Sequence, residues 1–181
     1  MFYVRKAVLN DADKIADIHV SSWKSTYSEL LHERDMTNIT YENRKALWET
    51  VLKLPMDRQP ALVVCNENDE IKGFISGGKE RTKRFGFDGE IYAIYLLEAY
   101  QRKGLGTMLL EAFAKEMKDA GYSSILVWVL TQNPSSKFYM DHGAKLVDKE
   151  ETTIGKGTYQ ETAFGWKNID LLLENFNSNK C

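Results

Sequence analysis

The chain has 181 residues, 43% of them hydrophobic, so one core of ordinary domain size can form and disorder throughout is excluded. Lys and Arg number 24 against 26 Asp and Glu, a net charge of −2, which excludes the broad basic footprint of a nucleic-acid or anionic-membrane binder. The longest apolar runs, Ile91 to Leu97 and Ile125 to Leu130, fall far short of the ~20 residues that cross a bilayer, and Met1-Phe2-Tyr3-Val4 meets Arg5 and Lys6 at once, unlike a secretory signal.

Phe2 to Val8 alternates weakly and predicts a first strand. Asn10 or Asp11 offers an N-cap, and Ile15, Ile18, His19, Ser22 and Trp23 recur at helical spacing, predicting a helix to about Lys24. Ser25 to Ile39 is mixed. Thr40 opens a second helical pattern with Leu47, Trp48, Val51 and Leu52 on one side, ahead of Pro55. Ala61 to Cys65 and Ile71 to Gly77 read as a hairpin around the turn Asn66 to Glu70. Lys79 to Gly89 reads as a charged, solvated loop. Glu90 to Leu97 is the next strand.

That strand leads through a glycine-bearing turn, Tyr100 to Gly106, into a helix. Leu105, Met108, Leu109, Ala112, Phe113, Met117 and Ala120 mark its apolar face, and Gly121 serves as its C-cap. Ser124 to Leu130 is nearly all apolar, as in a strand covered on both faces. Asn133 as N-cap and Pro134 at the first helical position open a short helix that carries Phe138 and Tyr139 and ends near Gly143. Lys145 to Thr153 and Thr158 to Lys167 are two final strands. The chain therefore reads as α/β (α+β), with a mixed sheet and one βαβ unit, over residues 1–168. Residues 169–181 form a helical tail whose Ile169, Leu171, Leu172, Leu173 and Phe176 need cover, from the domain or from a second copy in a homodimer.

Cys65 and Cys181 suit a reducing cytoplasm better than a disulfide. Two cysteines and the three histidines His19, His32 and His142 show no metal-ligand spacing. Backbone N–H groups at a helix start are unpaired and partly positive, so the Gly104/Gly106 turn can cradle phosphates. The dinucleotide fingerprint fails at Leu109, where a third glycine is required, and no Gly-Lys-Ser/Thr occurs.

Gln101-Arg102-Lys103-Gly104-Leu105-Gly106 resembles the Gln/Arg-x-x-Gly-x-Gly/Ala signature of the GNAT N-acetyltransferases. Asn133-Pro-Ser-Ser-Lys-Phe-Tyr139 with Gly143 resembles their second landmark, with Ser136 in place of the usual Ala and Ala144 in place of the usual Phe. The resemblance covers about Phe2 to Lys167. It implies a twisted sheet splayed between the fourth and fifth strands, with acetyl-CoA as co-substrate in the splay and no metal. Residues implied at the cofactor are Ile94, Tyr95, Leu96, Gln101, Arg102, Lys103, Gly104, Leu105, Gly106, Thr107, Asn133, Ser136 and Tyr139. An amide near Leu96 is implied as the oxyanion donor.

The implied reaction is direct acetyl transfer to an amine. A Lys-like amine has a pKa near 10.4, so only about one molecule in 2,500 is nucleophilic at pH 7 and a proton must be removed. Glu90 is the expected base, because it stands at the offset of a catalytic Glu in one branch of the family. A water chain, or Tyr92 and Tyr95 with hydroxyls that hold a water, are the alternatives. Tyr139 is the expected acid for the leaving thiolate. Trp23, Tyr27 and Tyr92 are expected to line the acceptor pocket, His19 is read mainly as structural, and Trp48, Trp128 and Trp166 are read as core. The expected acceptor is a small-molecule primary amine. A protein or peptide acetyltransferase and a non-catalytic acyl-CoA sensor are the rivals.

Overall fold

The computed structural model describes residues 1–178. Cys181 lies outside them. Cys65 is fully buried, and burial pushes its thiol up to about 11. Seven strands, β1 (Phe2–Lys6), β2 (Ala61–Asn66), β3 (Ile71–Lys79), β4 (Gly89–Leu96), β5 (Ile125–Leu130), β6 (Lys145–Ile154) and β7 (Gly157–Trp166), form one sheet in the order β1-β2-β3-β4-β5-β7-β6. Among the described residues five α-helices accompany it: α1 (Ala12–Tyr27), α2 (Tyr41–Val51), α3 (Leu105–Asp119), α4 (Ser135–Asp141) and α5 (Ile169–Ser178). Neighbouring strands run antiparallel except β4 and β5, which are parallel because α3 carries the chain back between them.

Alternation along β2 sorts the core. Leu62 and Val64 face one side with Ile75, Ile91, Ile125 and Val127, under Leu105, Leu109, Phe113 and Met117 of α3. Ala61, Val63 and Cys65 face the other with Phe74, under Ile15, Ala16 and Ile18 of α1 and Trp48 and Val51 of α2. Asp11 does not cap α1 with its side chain. It accepts two hydrogen bonds from Arg5, at 2.8 and 3.1 Å, and one from the Val8 amide. Gly121 (φ 93°) ends α3 as expected, with Tyr122 N–H bonded to Met117 O and Gly121 N–H to Lys118 O.

The expected tail is part of the domain. Ile169, Leu172 and Phe176 of α5 are 2%, 2% and 5% exposed and join the α3 side of the core. Leu171 is left in solvent, since a single helical stripe can face α3. Leu172→Ala is expected to lower stability by about 2–4 kcal/mol in urea denaturation, the usual cost of a buried leucine. An unchanged midpoint and slope would mean that α5 adds nothing.

Candidate active site

β4 and β5 pair only at Gly89–Ile125, Glu90–Leu126 and Ile91–Val127. Beyond that point they separate. A bulge on β4 starts the divergence: Gly77 of β3 opposes Ile91 while Ser76 opposes Ala93, so Tyr92 is the extra residue. Between the strands lies a cleft of about 720 Å³, walled by Ile91 to Leu96 on one side and Val127 to Val129 on the other. Successive amides of an extended strand point to opposite edges. Leu97 N–H is bonded to Lys72 O at 3.0 Å, on the β3 side, so the Leu96 amide faces the opening.

The turn between β4 and α3 closes one end of the cleft. Arg102 (φ 57°) and Gly104 (φ 80°) are both left-handed. A Cβ on Gly104 would meet nothing within 4 Å, so handedness alone calls for glycine there. Gly106 is different: its Cβ would lie 3.3 Å from the Phe138 ring, where α3 meets α4. The first α-helical amide bond of α3 runs from Met108 N–H to Gly104 O. The amides of Leu105, Gly106 and Thr107 precede it and have no backbone partner among the described residues. These free donors, bordered by glycines at the cleft, fit a pyrophosphate.

Asn133 and Tyr139 form the opposite wall with Phe138. The helix starts one residue later than expected, with Pro134 as its N-cap. Asn133 still serves it, because its Oδ1 accepts the Ser135 amide at 2.9 Å while its Nδ2 donates to Tyr27 Oη at 3.3 Å. Tyr139 is buried beside Phe164 and Trp166, and burial raises its phenol above the usual range, so it stays protonated at neutral pH.

Of the expected cofactor residues, Ile94, Tyr95, Leu96, Gln101, Arg102, Gly104, Gly106, Thr107, Asn133 and Tyr139 line the cleft. Gln101 Nε2 and Ser22 Oγ both donate to Leu96 O at 3.3 Å, which ties the turn and α1 to the end of β4. Leu105, Lys103 and Ser136 are not among the lining residues: the Leu105 side chain is turned into the core at 1% exposure, so only its amide stands at the turn, Lys103 lies over the Tyr100 ring at 5.3 Å, and Ser135 rather than its neighbour Ser136 lines the wall. On the acceptor side Tyr27 and Tyr92 line the cleft, but Trp23 does not; it packs on Tyr27 at 4.3 Å. The Tyr92 hydroxyl donates to Lys79 O, and the Arg81 guanidinium lies 4.2 Å above its ring.

Glu90 stands apart from the cleft. It is 1% exposed and absent from the cleft wall. Arg81 Nη2 donates to its Oε2 at 2.6 Å, and the Arg81 amide donates to its Oε1 at 3.1 Å. Held this way, the carboxylate anchors the loop that joins β3 to β4. Glu90→Gln is therefore expected to change kcat/KM less than tenfold, with the same pH profile as the parent, where loss of a general base typically costs about 100-fold or more. A deep loss that recovers at high pH would return the base role to Glu90. His19 is buried too: it accepts from Trp48 Nε1 at 3.1 Å, stacks on Tyr95 at 5.2 Å, and desolvation pushes it down to about 3.

Trp128, read from the sequence as core, lines the cleft, and its buried indole N–H has no partner among the described residues. Glu29, Leu30 and Gln132 also line it without a sequence signal. Among the described residues no cluster of three or more His, Cys, Asp or Glu could hold a metal, and no helix is long and apolar enough to cross a membrane.

Known proteins are similar to this chain. The chain is 35% identical over 172 residues to the N-acetyltransferase YuaI of Bacillus subtilis (strain 168), itself uncharacterized, covering 95% of this chain and 96% of the relative. Two solved structures share the fold at 23% identity each. One is PaiA N-acetyltransferase from Thermoplasma acidophilum in complex with coenzyme A (TM-score 0.66, covering 89% of this chain and 98% of that one). The other is yncA from Salmonella typhimurium with its cofactor acetyl-CoA (TM-score 0.70, covering 94% and 95%). The family profile described as acetyltransferase (GNAT) family matches residues 15–144, from α1 through the splayed strands and the glycine turn to the end of the Asn133–Gly143 segment. With the parted strands and the turn between them in place, the chain belongs to the GNAT acetyltransferase family.

Proposed function

We propose that the protein acetylates the primary amine of a small molecule with acetyl-CoA as donor. The observation that carries this reading is one continuous cleft with free helix-start amides at the glycine turn and an aromatic acceptor side formed by Tyr27, Tyr92 and Trp128. Acetyl-CoA supplies an acyl thioester when bound. The amides of Leu105, Gly106 and Thr107 hold its pyrophosphate, as the named ligands of the two structural relatives support. The Leu96 amide donates to the acyl oxygen as negative charge builds there. Tyr139 donates its proton to the departing sulfur, and its phenolate regains a proton through solvent from the nitrogen, which sheds its second proton as the amide forms. The exposed carboxylate of Glu29, two residues beyond Tyr27 on the cleft wall, draws in the ammonium form of the acceptor, and the proton of that ammonium leaves to water at the open mouth.

A small acceptor is favoured by the strap over this side. Between α1 and α2, Asp35 accepts the Lys156 amide at 2.8 Å and the Tyr159 hydroxyl, and the His32 amide donates to Tyr159 Oη at 3.1 Å. These bonds pin the α1–α2 connection to the β6–β7 hairpin, which leaves less room for an extended peptide. The test is a screen of polyamines, amino acids, aminoglycosides and peptides, read by release of free CoA. Turnover with small amines is expected. Turnover with peptides alone would make the protein a peptide acetyltransferase, and CoA binding without any turnover would make it a sensor.

A further inference from the structure

The ring of His142 lies behind the glycine turn, between α4 and α3. Its Nδ1 is 2.7 Å from Phe138 O, and its Nε2 is 3.0 Å from Thr107 Oγ1. A carbonyl oxygen only accepts, so Nδ1 must carry a hydrogen. In the neutral ring Nε2 is then a bare acceptor, and the Thr107 hydroxyl must donate its only hydrogen to it. Thr107 lines the cleft at the start of α3. With its hydrogen turned back to His142, its oxygen offers lone pairs alone to an anion in the cleft. Protonation of the ring reverses the bond. Nε2–H then donates to Oγ1, and the hydroxyl hydrogen is released to point at a phosphate oxygen.

We propose that His142 is a positioning residue for the donor's pyrophosphate: it sets the direction of the Thr107 hydroxyl, so that pyrophosphate binding is coupled to uptake of one proton by the imidazole. This rests on the reading that the Gly104–Thr107 turn holds a pyrophosphate. The step balances simply. One proton moves from solvent to Nε2, and the hydroxyl hydrogen passes from the histidine bond to a phosphate bond.

The surroundings suit such a device. Phe138 lies 4.4 Å from the imidazole and Phe176 of α5 lies 5.8 Å away, centroid to centroid, while Trp166 of β7 donates to His142 O at 2.8 Å. Several charged groups on these elements are paired with one another. Glu111, one turn beyond Thr107 on α3, is bridged to Lys115; Asp141 of α4 is bridged to Lys137; and on α5 Asp170 is bridged to Lys118, near which the charge of Glu174 also falls. Towards the cleft the turn adds Glu98, Arg102 and, at its outer side, Lys103.

The experiment is calorimetric titration with dephospho-CoA, which keeps the pyrophosphate but lacks the terminal phosphate that itself titrates near pH 6. It is run from pH 8 to pH 6 in buffers of different ionisation enthalpy. The wild type is expected to bind several-fold tighter at pH 6 than at pH 8, with net proton uptake on binding. Thr107→Val keeps the side-chain shape and the His142 packing while removing the hydroxyl; it is expected to bind with little pH dependence and little proton uptake. His142→Gln, which cannot titrate, is expected to match it. A flat wild-type profile, or a Thr107→Val profile as steep as the wild type, overturns the proposal and leaves the pyrophosphate reading standing. Absence of binding to the wild type at every pH overturns both.

Discussion

Tyr139→Phe is expected to lower kcat about 100-fold or more, the usual contribution of a positioned general acid, while CoA still binds. The substitution removes one hydroxyl and keeps a ring that is packed against Phe164 and Trp166. A hundredfold loss corresponds to about 2.7 kcal/mol of transition-state stabilisation. The defect should be constant with pH. Burial raises the phenol above its ordinary value near 10, so the wild-type hydroxyl remains protonated throughout the neutral range and no acid-side or alkaline recovery is available to the variant. Steady-state rates from pH 6 to pH 9 with one accepted amine make the measurement. Wild-type kcat in the variant would move the acid elsewhere, and a loss confined to high pH would mean that the tyrosine acts on the nucleophile instead.

Gly106→Asp is expected to abolish CoA binding. The parent should gain about 2.7 kcal/mol of stability at a hundredfold excess of CoA over its dissociation constant, seen as a rise in melting temperature. In the variant the new Cβ sits 3.3 Å from the Phe138 ring, and a carboxylate is placed beside the free amides that begin α3. Gly106→Ala separates the two effects: it crowds Phe138 without adding charge and should bind CoA weakly. Circular dichroism would establish that both variants fold. A folded Gly106→Asp protein with the full thermal shift would show that the turn does not hold the donor.

The turn was legible because local rules suffice there. An apolar strand, two glycines two residues apart and a helix with a clear apolar face together define a strand–turn–helix unit, and the structure places Gly104 at a left-handed helix start. Asn133 and Tyr139 were legible for the same reason. Glu90 was not. Its carboxylate is oriented by Arg81, nine residues upstream on the loop between β3 and β4, and no periodicity reports that pairing. Trp128 was misread because an apolar run cannot say that β4 leaves β5 after Ile91, exposing one side of the strand to a cleft. Leu105 served two expectations at once, as cofactor contact and as apolar helix face; the core took its side chain and left its amide at the turn. Docking of α5 on α3 depends on partners far apart in the chain, so the need of its apolar residues for cover was visible, while the single stripe that is covered, and by what, was not.

The short seam between β4 and β5 divides the molecule in a way the continuous sheet conceals. Strands β1 to β4 and strands β5, β7 and β6 are two half-sheets laced together by three residue pairs, with α3 carrying the chain from one half to the other. The Leu96 amide, which faces the opening, lies at the middle of a seven-stranded sheet yet has no strand on that side. Its deuterium exchange should resemble that of an edge strand, while Ile91 beside the seam exchanges slowly. A ligand bound between the two halves is expected to slow amide exchange on both sides of the seam.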